Sequence, residues 1–249
     1  MAIKPGKFVW FEHVSTDPAK ARAFYTSLFG WTVQDVPMGG DPYPMLHNGG
    51  TPVGGLRGDA GKAPPHWACW MSVADVDATV GKAERAGAKM LMPPTDFSGM
   101  GRGAVLQDPQ GAVICIWRSA SGEDAPDEPR TPVGGWCWTE LMTGDDAGAL
   151  AFYESVFGYT HDVMPMPQGS YYILKTGDVA RAGLMRNPEP MPSYWMPYVE
   201  VADADACVAK AKSLGGKVYL EPHDIDGVGR IAILGDTQGA AIGVIRSAG

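Results

Sequence analysis

The segment AFYTSLFGW at Ala23–Trp31 returns as AFYESVFGY at Ala151–Tyr159, an offset of 128 positions. That offset runs through nearly the whole chain without a gap. WFEH (Trp10–His13) faces WTEL (Trp138–Leu141), and PVGGL faces ARAGL. VADVDATVGKAERAG faces VADADACVAKAKSLG, and GMGRGAVLQDPQGA faces GVGRIAILGDTQGA. Each copy closes on Arg-Ser, and about two aligned positions in five are identical. A duplication this even constrains the fold more than any single motif, because one unit must be built twice.

The copies span residues 8–119 and 136–247. The intervening stretch, residues 120–135, is acidic and rich in Pro and Gly with no apolar period, so it reads as a linker. A smaller rhythm runs inside each copy. In the first, FVWFEHV precedes a helical segment, and the strand-like runs WTVQDV, YPMLHN and TPVGGLRG follow. The order then restarts with HWACWMSV, a helix from Val76, and AKMLMPP, RGAVLQD and AVICIWRS. Each copy is therefore βαβββ twice, an α+β chain of four modules. The 33 Gly and 21 Pro fit many short strands joined by tight turns.

The opening segment reads as a helix. Asp17 and Pro18 supply an N-cap and a first-turn proline. Ala21, Phe24, Tyr25, Leu28 and Phe29 recur on one face, and Gly30 stops the run. In the second copy Asp145-Asp146 opens the helix, Phe152, Tyr153, Val156 and Phe157 hold the face, and Gly158 ends it. These residues read as core.

The formal net charge of −8 and the lack of any Lys/Arg run exclude a phosphate-neutralising surface, so no nucleic-acid partner is expected. Cys69, Cys115, Cys137 and Cys207 have no CxxC spacing and read as reduced, buried thiols. No apolar run is long enough for a membrane span and no signal-type segment is visible, so the expectation is a cytoplasmic protein. GxSxG, GxxxxGK[ST] and HExxH are all missing, which leaves serine hydrolase, P-loop and thermolysin-type readings without support.

The D-x-x-x-A-x-x-FY-x-x-x-FG-W/Y segment, the V-A-D-x-D-A helix start and the D-P/T-Q-G-A turn, each present twice, resemble the vicinal oxygen chelate superfamily. That superfamily holds glyoxalase I, extradiol dioxygenases, and fosfomycin- and bleomycin-resistance proteins. W-x-E before the first helix resembles its tandem-repeat, glyoxalase-like bacterial subgroup. The resemblance implies paired βαβββ modules curled into a cup. In the metal enzymes it implies ligands on the first, fifth and eighth strands, usually His, His or Gln, and Glu. Those places fall here on Trp10, Ala68 and Cys115, and in the second copy on Trp138, Met196 and Gly243. Such side chains do not assemble a divalent-ion site, so no cofactor is expected. A divalent metal held by a displaced set, Glu12, His66 and Cys115, is the alternative.

Strand side chains alternate faces. With position 10 inward, the first copy lines its cup with Trp10, Glu12, His66, Trp70, Cys115 and Trp117, while His13 points away. The second offers Trp138, Glu140, Tyr194, Met196, Tyr198 and Ile245. Tyr43 and Tyr171 stand at equivalent places on a middle strand. An aromatic wall with one carboxylate suits a planar small molecule, with Glu12 and Glu140 as polar anchors or a general base. The bland reading pairs these glutamates with Arg102 and Arg230 of the G-x-G-R turns. The leading expectation is thus a small-molecule-binding protein or a metal-independent enzyme. A glyoxalase-type lyase, isomerase or dioxygenase working through the displaced site is the second reading, and a non-catalytic surface-interaction protein the third.

Overall fold

The computed structural model describes residues 2–37, 41–59, 63–97, 99–166, 169–187 and 191–249. The first copy runs β1 (Phe8–Ser15), α1 (Pro18–Phe29), β2 (Thr32–Val36), β3 (Tyr43–Asn48) and β4 (Thr51–Gly58), then β5 (His66–Ser72), α2 (Val76–Arg85), β6 (Lys89–Phe97), β7 (Gly101–Gln107) and β8 (Val113–Ser119). The second repeats it. Its first module is β9 (Trp136–Thr143), α3 (Asp146–Phe157), β10 (Thr160–Met166), β11 (Gly169–Thr176) and β12 (Val179–Arg186). Its second is β13 (Tyr194–Glu200), α4 (Ala204–Ser213), β14 (Lys217–Ile225), β15 (Gly229–Gly235) and β16 (Ala241–Ser247). This is the α+β order of four βαβββ modules.

Hydrogen bonding arranges the strands as β2-β3-β4-β1-β5-β8-β7-β6 and as β10-β11-β12-β9-β13-β16-β15-β14. In every module the first strand runs parallel to the last, as in β1 with β4 and β5 with β8, and hairpins complete the set. The helices start and stop where the local chemistry demands. The Asp17 carboxylate accepts the Lys20 N–H, and Gly30 takes a left-handed φ of 73° while returning its N–H to the Thr26 carbonyl. Asp145 and Gly158 do the same for α3.

The chain divides into two compact units, and each unit draws one module from each copy. Unit 1 comprises Met1–Trp10, Ala68–Asp127 and Trp138–Trp195; unit 2 comprises Phe11–Trp67, Glu128–Cys137 and Met196–Gly249. In unit 1, α2 packs on α3. Tyr153 Oη donates to Asp108 Oδ2 at 3.0 Å and accepts from Trp195 Nε1 at 2.8 Å, while Asp108 Oδ1 takes the backbone N–H groups of Gln110 and Ala112. In unit 2, α1 packs on α4. Tyr25 donates to Asp236 at 3.2 Å and accepts from Trp67 at 2.9 Å. Asp236 caps Gln238 and Ala240 in the same manner. The FY pair of one copy therefore meets the D-x-Q-G-A turn of the other, which explains why both motifs are written twice.

One difference separates these networks. His13 Nε2 donates to Asp236 Oδ2 at 2.7 Å, with both side chains fully buried, whereas the repeat places Leu141 at the corresponding position in the second copy. Burial pushes both aspartates up. For Asp236 the hydrogen bond and charge of His13, with its turn N–H groups, reverse that and hold the carboxyl below the usual range. Asp108 has hydrogen bonds alone against burial, and it stays above that range. Among the described residues no helix is long and apolar enough to cross a membrane.

Candidate functional site

In unit 2, the parallel register sets Glu12 of β1 beside Gly55 of β4. Tyr43 reaches over that glycine and donates its hydroxyl to Glu12 Oε1 at 3.0 Å. A Cβ at position 55 would overlap the Tyr43 hydroxyl, so a glycine is what lets the bond form. Arg57 Nη1 lies 3.4 Å from Glu12 Oε2. Glu12 is only 7 % exposed, and that burial raises its carboxyl above the usual range, against the downward pull of Arg57, Tyr43 and His66. His66 Nδ1 sits 2.8 Å from the Pro64 carbonyl. A carbonyl only accepts, so Nδ1 carries the proton there and Nε2 is left as the ring's other polar atom.

Unit 1 holds the matching cluster. Glu140 of β9 stands beside Gly183 of β12, and Tyr171 crosses that glycine in the same way. Trp138 Nε1 donates to Tyr171 Oη at 2.7 Å, and Tyr171 in turn hydrogen-bonds Glu140. Burial and then the Glu140 charge push the hydroxyls of Tyr171 and Tyr194 up. Glu140, like Glu12, is 7 % exposed. The clusters differ in charge: the repeat places Met185 where the first copy has Arg57, and Tyr194 where it has His66.

A third group lies in unit 1. Trp70 and Trp117 meet edge to face at 5.9 Å, with Phe97 against both. Cys115 pairs with Trp70 in register and is buried. Gly103 and Gly101 leave room for the two indoles. The buried Trp70 N–H has no hydrogen-bond partner among the described residues.

Of the residues expected to line a cup, Glu12 and His66 come together in unit 2. Trp138, Glu140 and Tyr194 come together in unit 1, as do Trp70, Cys115 and Trp117. Trp10 belongs to unit 1. Tyr198 belongs to unit 2, is buried, and lies over Gly243, where any Cβ would overlap its ring. Pairing of the glutamates with the turn arginines does not occur. Arg102 takes Asp77 and Asp96, and Arg230 takes Asp205 and Asp224. Each arginine finds a helix-start aspartate and a strand neighbour nearer than any cluster carboxylate. Sequence reasoning missed Arg57, whose only signal was its place two residues after Gly55.

Residues 9–117 match the family model described as a glyoxalase-like domain. A Mycobacterium tuberculosis protein named "Putative glyoxylase CFP32" is 40% identical over 96% of this chain and 94% of its own length. The chain belongs to the glyoxalase-like family of the vicinal oxygen chelate superfamily. The anthracycline biosynthesis protein DauV of Streptomyces sp. strain C5 is 33% identical over 97% of this chain and 93% of its own. Among solved structures, the Mn(II)-bound glyoxalase of Novosphingobium aromaticivorans aligns with a TM-score of 0.67 at 16% identity, over 98% of this chain and 83% of that one. The 2,2',3-trihydroxybiphenyl 1,2-dioxygenase of Sphingomonas wittichii aligns with 0.66 at 14%, over 99% and 91%. This tandem glyoxalase-like protein thus shares its fold with extradiol dioxygenases and a glyoxalase.

The Mn(II) carried by the glyoxalase neighbour runs against the expectation that no cofactor attends this chain. The expectation rested on six side chains alone, whereas the fold that carries them holds a metal in that neighbour. Those six places hold two indoles, a methyl, a thioether, a glycine and the single buried thiol of Cys115, a set without the hard donors that Mn(II) takes. The displaced set is not assembled either: among the described residues no three His, Cys, Asp or Glu side chains are placed to hold an ion.

Proposed function

We propose that each unit of this glyoxalase-like protein binds a small planar aromatic molecule, with Glu140 as the polar anchor in unit 1 and Glu12 in unit 2. The observation that carries the reading is the repeated device of a nearly buried carboxylate, a tyrosine hydroxyl on it, and a glycine that lets the hydroxyl arrive. Burying a carboxylate twice is costly for stability alone. Rings stand with the anchors: Trp138, Tyr171 and Tyr194 around Glu140, and Tyr43 and His66 around Glu12. Trp10, Trp70 and Trp117 are the further aromatic candidates in unit 1, and Tyr198 in unit 2. Apolar faces of this kind favour a flat ligand through stacking and area burial. DauV and DnrV, 33% and 32% identical, are named for anthracycline biosynthesis, and anthracyclines carry a fused planar ring system.

Glu12 is also the proton acceptor of the site in turnover. Its burial brings the carboxyl toward working pH, where a general base is most effective. Arg57 and His66 beside it favour negative charge on a bound molecule. The reaction class that suits this arrangement is proton abstraction from an activated carbon or phenol, as a lyase, isomerase or oxygenase would use.

Titration of 1,8-dihydroxyanthraquinone into the protein, read by quenching of tryptophan fluorescence, tests the binding. Saturable quenching is expected, weakened about tenfold or more in the Glu12→Gln, Glu140→Gln double variant. Unchanged affinity in that variant overturns the anchors, and unsaturable quenching overturns the reading.

A further inference from the structure

Trp70 is 6 % exposed, and its indole N–H is buried with no hydrogen-bond partner among the described residues. An indole nitrogen only donates, and a buried donor left unmet is costly, so the group calls for an acceptor. Its neighbours in unit 1 are rings. Trp117 at 5.9 Å and Phe97 at 6.1 Å both stand edge to face with it, which offers the N–H only a weak contact with π electrons. Trp117 and Phe97 are half-buried, so the trio is reached from their side. A Cβ on Gly103 would stand 2.8 Å from Trp70 and 3.0 Å from Trp117. The repeat puts Ile231 at that place in the second copy, and Ile245 where the first has Trp117; both isoleucines are buried. Branched aliphatic chains thus stand in unit 2 where unit 1 has rings around a donor. The arginines of β7 and β8 are turned elsewhere: Arg102 to Asp77 and Asp96, Arg118 to the Ala74 carbonyl. An ionised oxygen at Trp70 would lose its hydration without either guanidinium to offset the loss, whereas a neutral oxygen needs only the N–H.

We infer that the Trp70 N–H receives a neutral oxygen acceptor of the planar ligand in unit 1, which makes that ligand an aryl ketone or quinone rather than a plain hydrocarbon or an aryl carboxylate. The inference rests on the planar-ligand reading and adds a functional group to it. Phe97, the last residue of β6, is the ring that turns aside for the oxygen to arrive.

Three probes on one ring system separate the ring from the oxygen: 2-acetonaphthone, 2-ethylnaphthalene and 2-naphthoate. By isothermal titration calorimetry at neutral pH, the ketone is expected to bind about tenfold tighter than the hydrocarbon, and tighter than the carboxylate. In Trp70→Phe, which keeps a ring and removes the N–H, ketone and hydrocarbon are expected to bind alike. A second measurement needs no variant. Among the indole N–H resonances of the 8 tryptophans, one is expected to move downfield in NMR spectra with the ketone and not with the hydrocarbon. Equal affinity for ketone and hydrocarbon in the unaltered protein overturns the donor role and leaves planar binding intact. Tighter binding of the carboxylate overturns the neutral acceptor. A ketone advantage that persists in folded Trp70→Phe, or indole resonances that answer both probes alike, overturns the assignment to Trp70. Failure of all three probes to bind overturns both readings.

Discussion

Tyr153 donates its hydroxyl to Asp108 at 3.0 Å, and with that bond the second copy's first helix is tied to the first copy's last turn. Tyr25 and Asp236 make the reciprocal tie. Each tyrosine is fully buried and also accepts an indole N–H, so a phenylalanine leaves a donor and an acceptor unsatisfied. Tyr153→Phe and Tyr25→Phe are each expected to cost about 1–3 kcal/mol in urea unfolding. A loss under about 0.5 kcal/mol for both would show that the motif's repetition has another cause.

The two aspartates predict opposite pH responses. Asp236 is held below its ordinary value in the folded protein, so its contribution is present above the unfolded carboxylate range and is lost as pH falls through the folded value. Asp108 is raised, so its contribution is present at low pH and is lost as pH rises through its folded value. His13→Leu copies the Leu141 arrangement into unit 2. The variant is expected to lose about 1–3 kcal/mol at pH 7, with the deficit shrinking as pH falls toward 4. A deficit that is constant across pH 4–8 in denaturant titrations rejects the charge account and leaves packing.

Glu12 stores a desolvation cost. Its raised carboxyl means that stability declines as pH rises through the folded value, and a neutral side chain of the same shape removes that decline. Glu12→Gln is expected to be more stable than the unaltered protein by about 1 kcal/mol at pH 8, a rise of about 2–4 °C in Tm, and equal to it near pH 4. A lower Tm at pH 8 would mean that Arg57 and Tyr43 outweigh burial, and that the carboxylate is structural.

Gly55 and Gly183 are expected to tolerate no side chain without moving a tyrosine. Neither has a positive φ, so an alanine meets steric overlap with Tyr43 or Tyr171 and no backbone strain. Gly55→Ala and Gly183→Ala are each expected to weaken dihydroxyanthraquinone binding several-fold, with a stability cost of about 1–3 kcal/mol. The tyrosine hydroxyl's loss from its glutamate is readable in the pH dependence of binding. Native affinity in both alanine variants would separate the tyrosines from the site.

Much of the architecture was legible in the linear chain. The helix limits at Asp17 and Gly30, the four βαβββ modules and the alternation that groups Trp70 with Trp117 all rest on local rules: capping chemistry, left-handed glycine and the period of a strand. The candidate glutamates were legible for the same reason, as repeated acidic residues on otherwise apolar strands. The partners of Glu12 were not. Arg57 and Gly55 reach it through a parallel register between strands more than forty residues apart, and nothing local encodes which strands become neighbours. Nor did two similar copies reveal that modules of different copies would form the compact units. In that arrangement Tyr25 finds Asp236 rather than Asp108, and His13 gives one of two equal motifs a different charge. Sequence alone determined the repeated unit and its apolar faces, because those follow from residue order over a few positions. Only the tertiary structure decided which copy supplies each partner, because that choice depends on packing between segments remote along the chain.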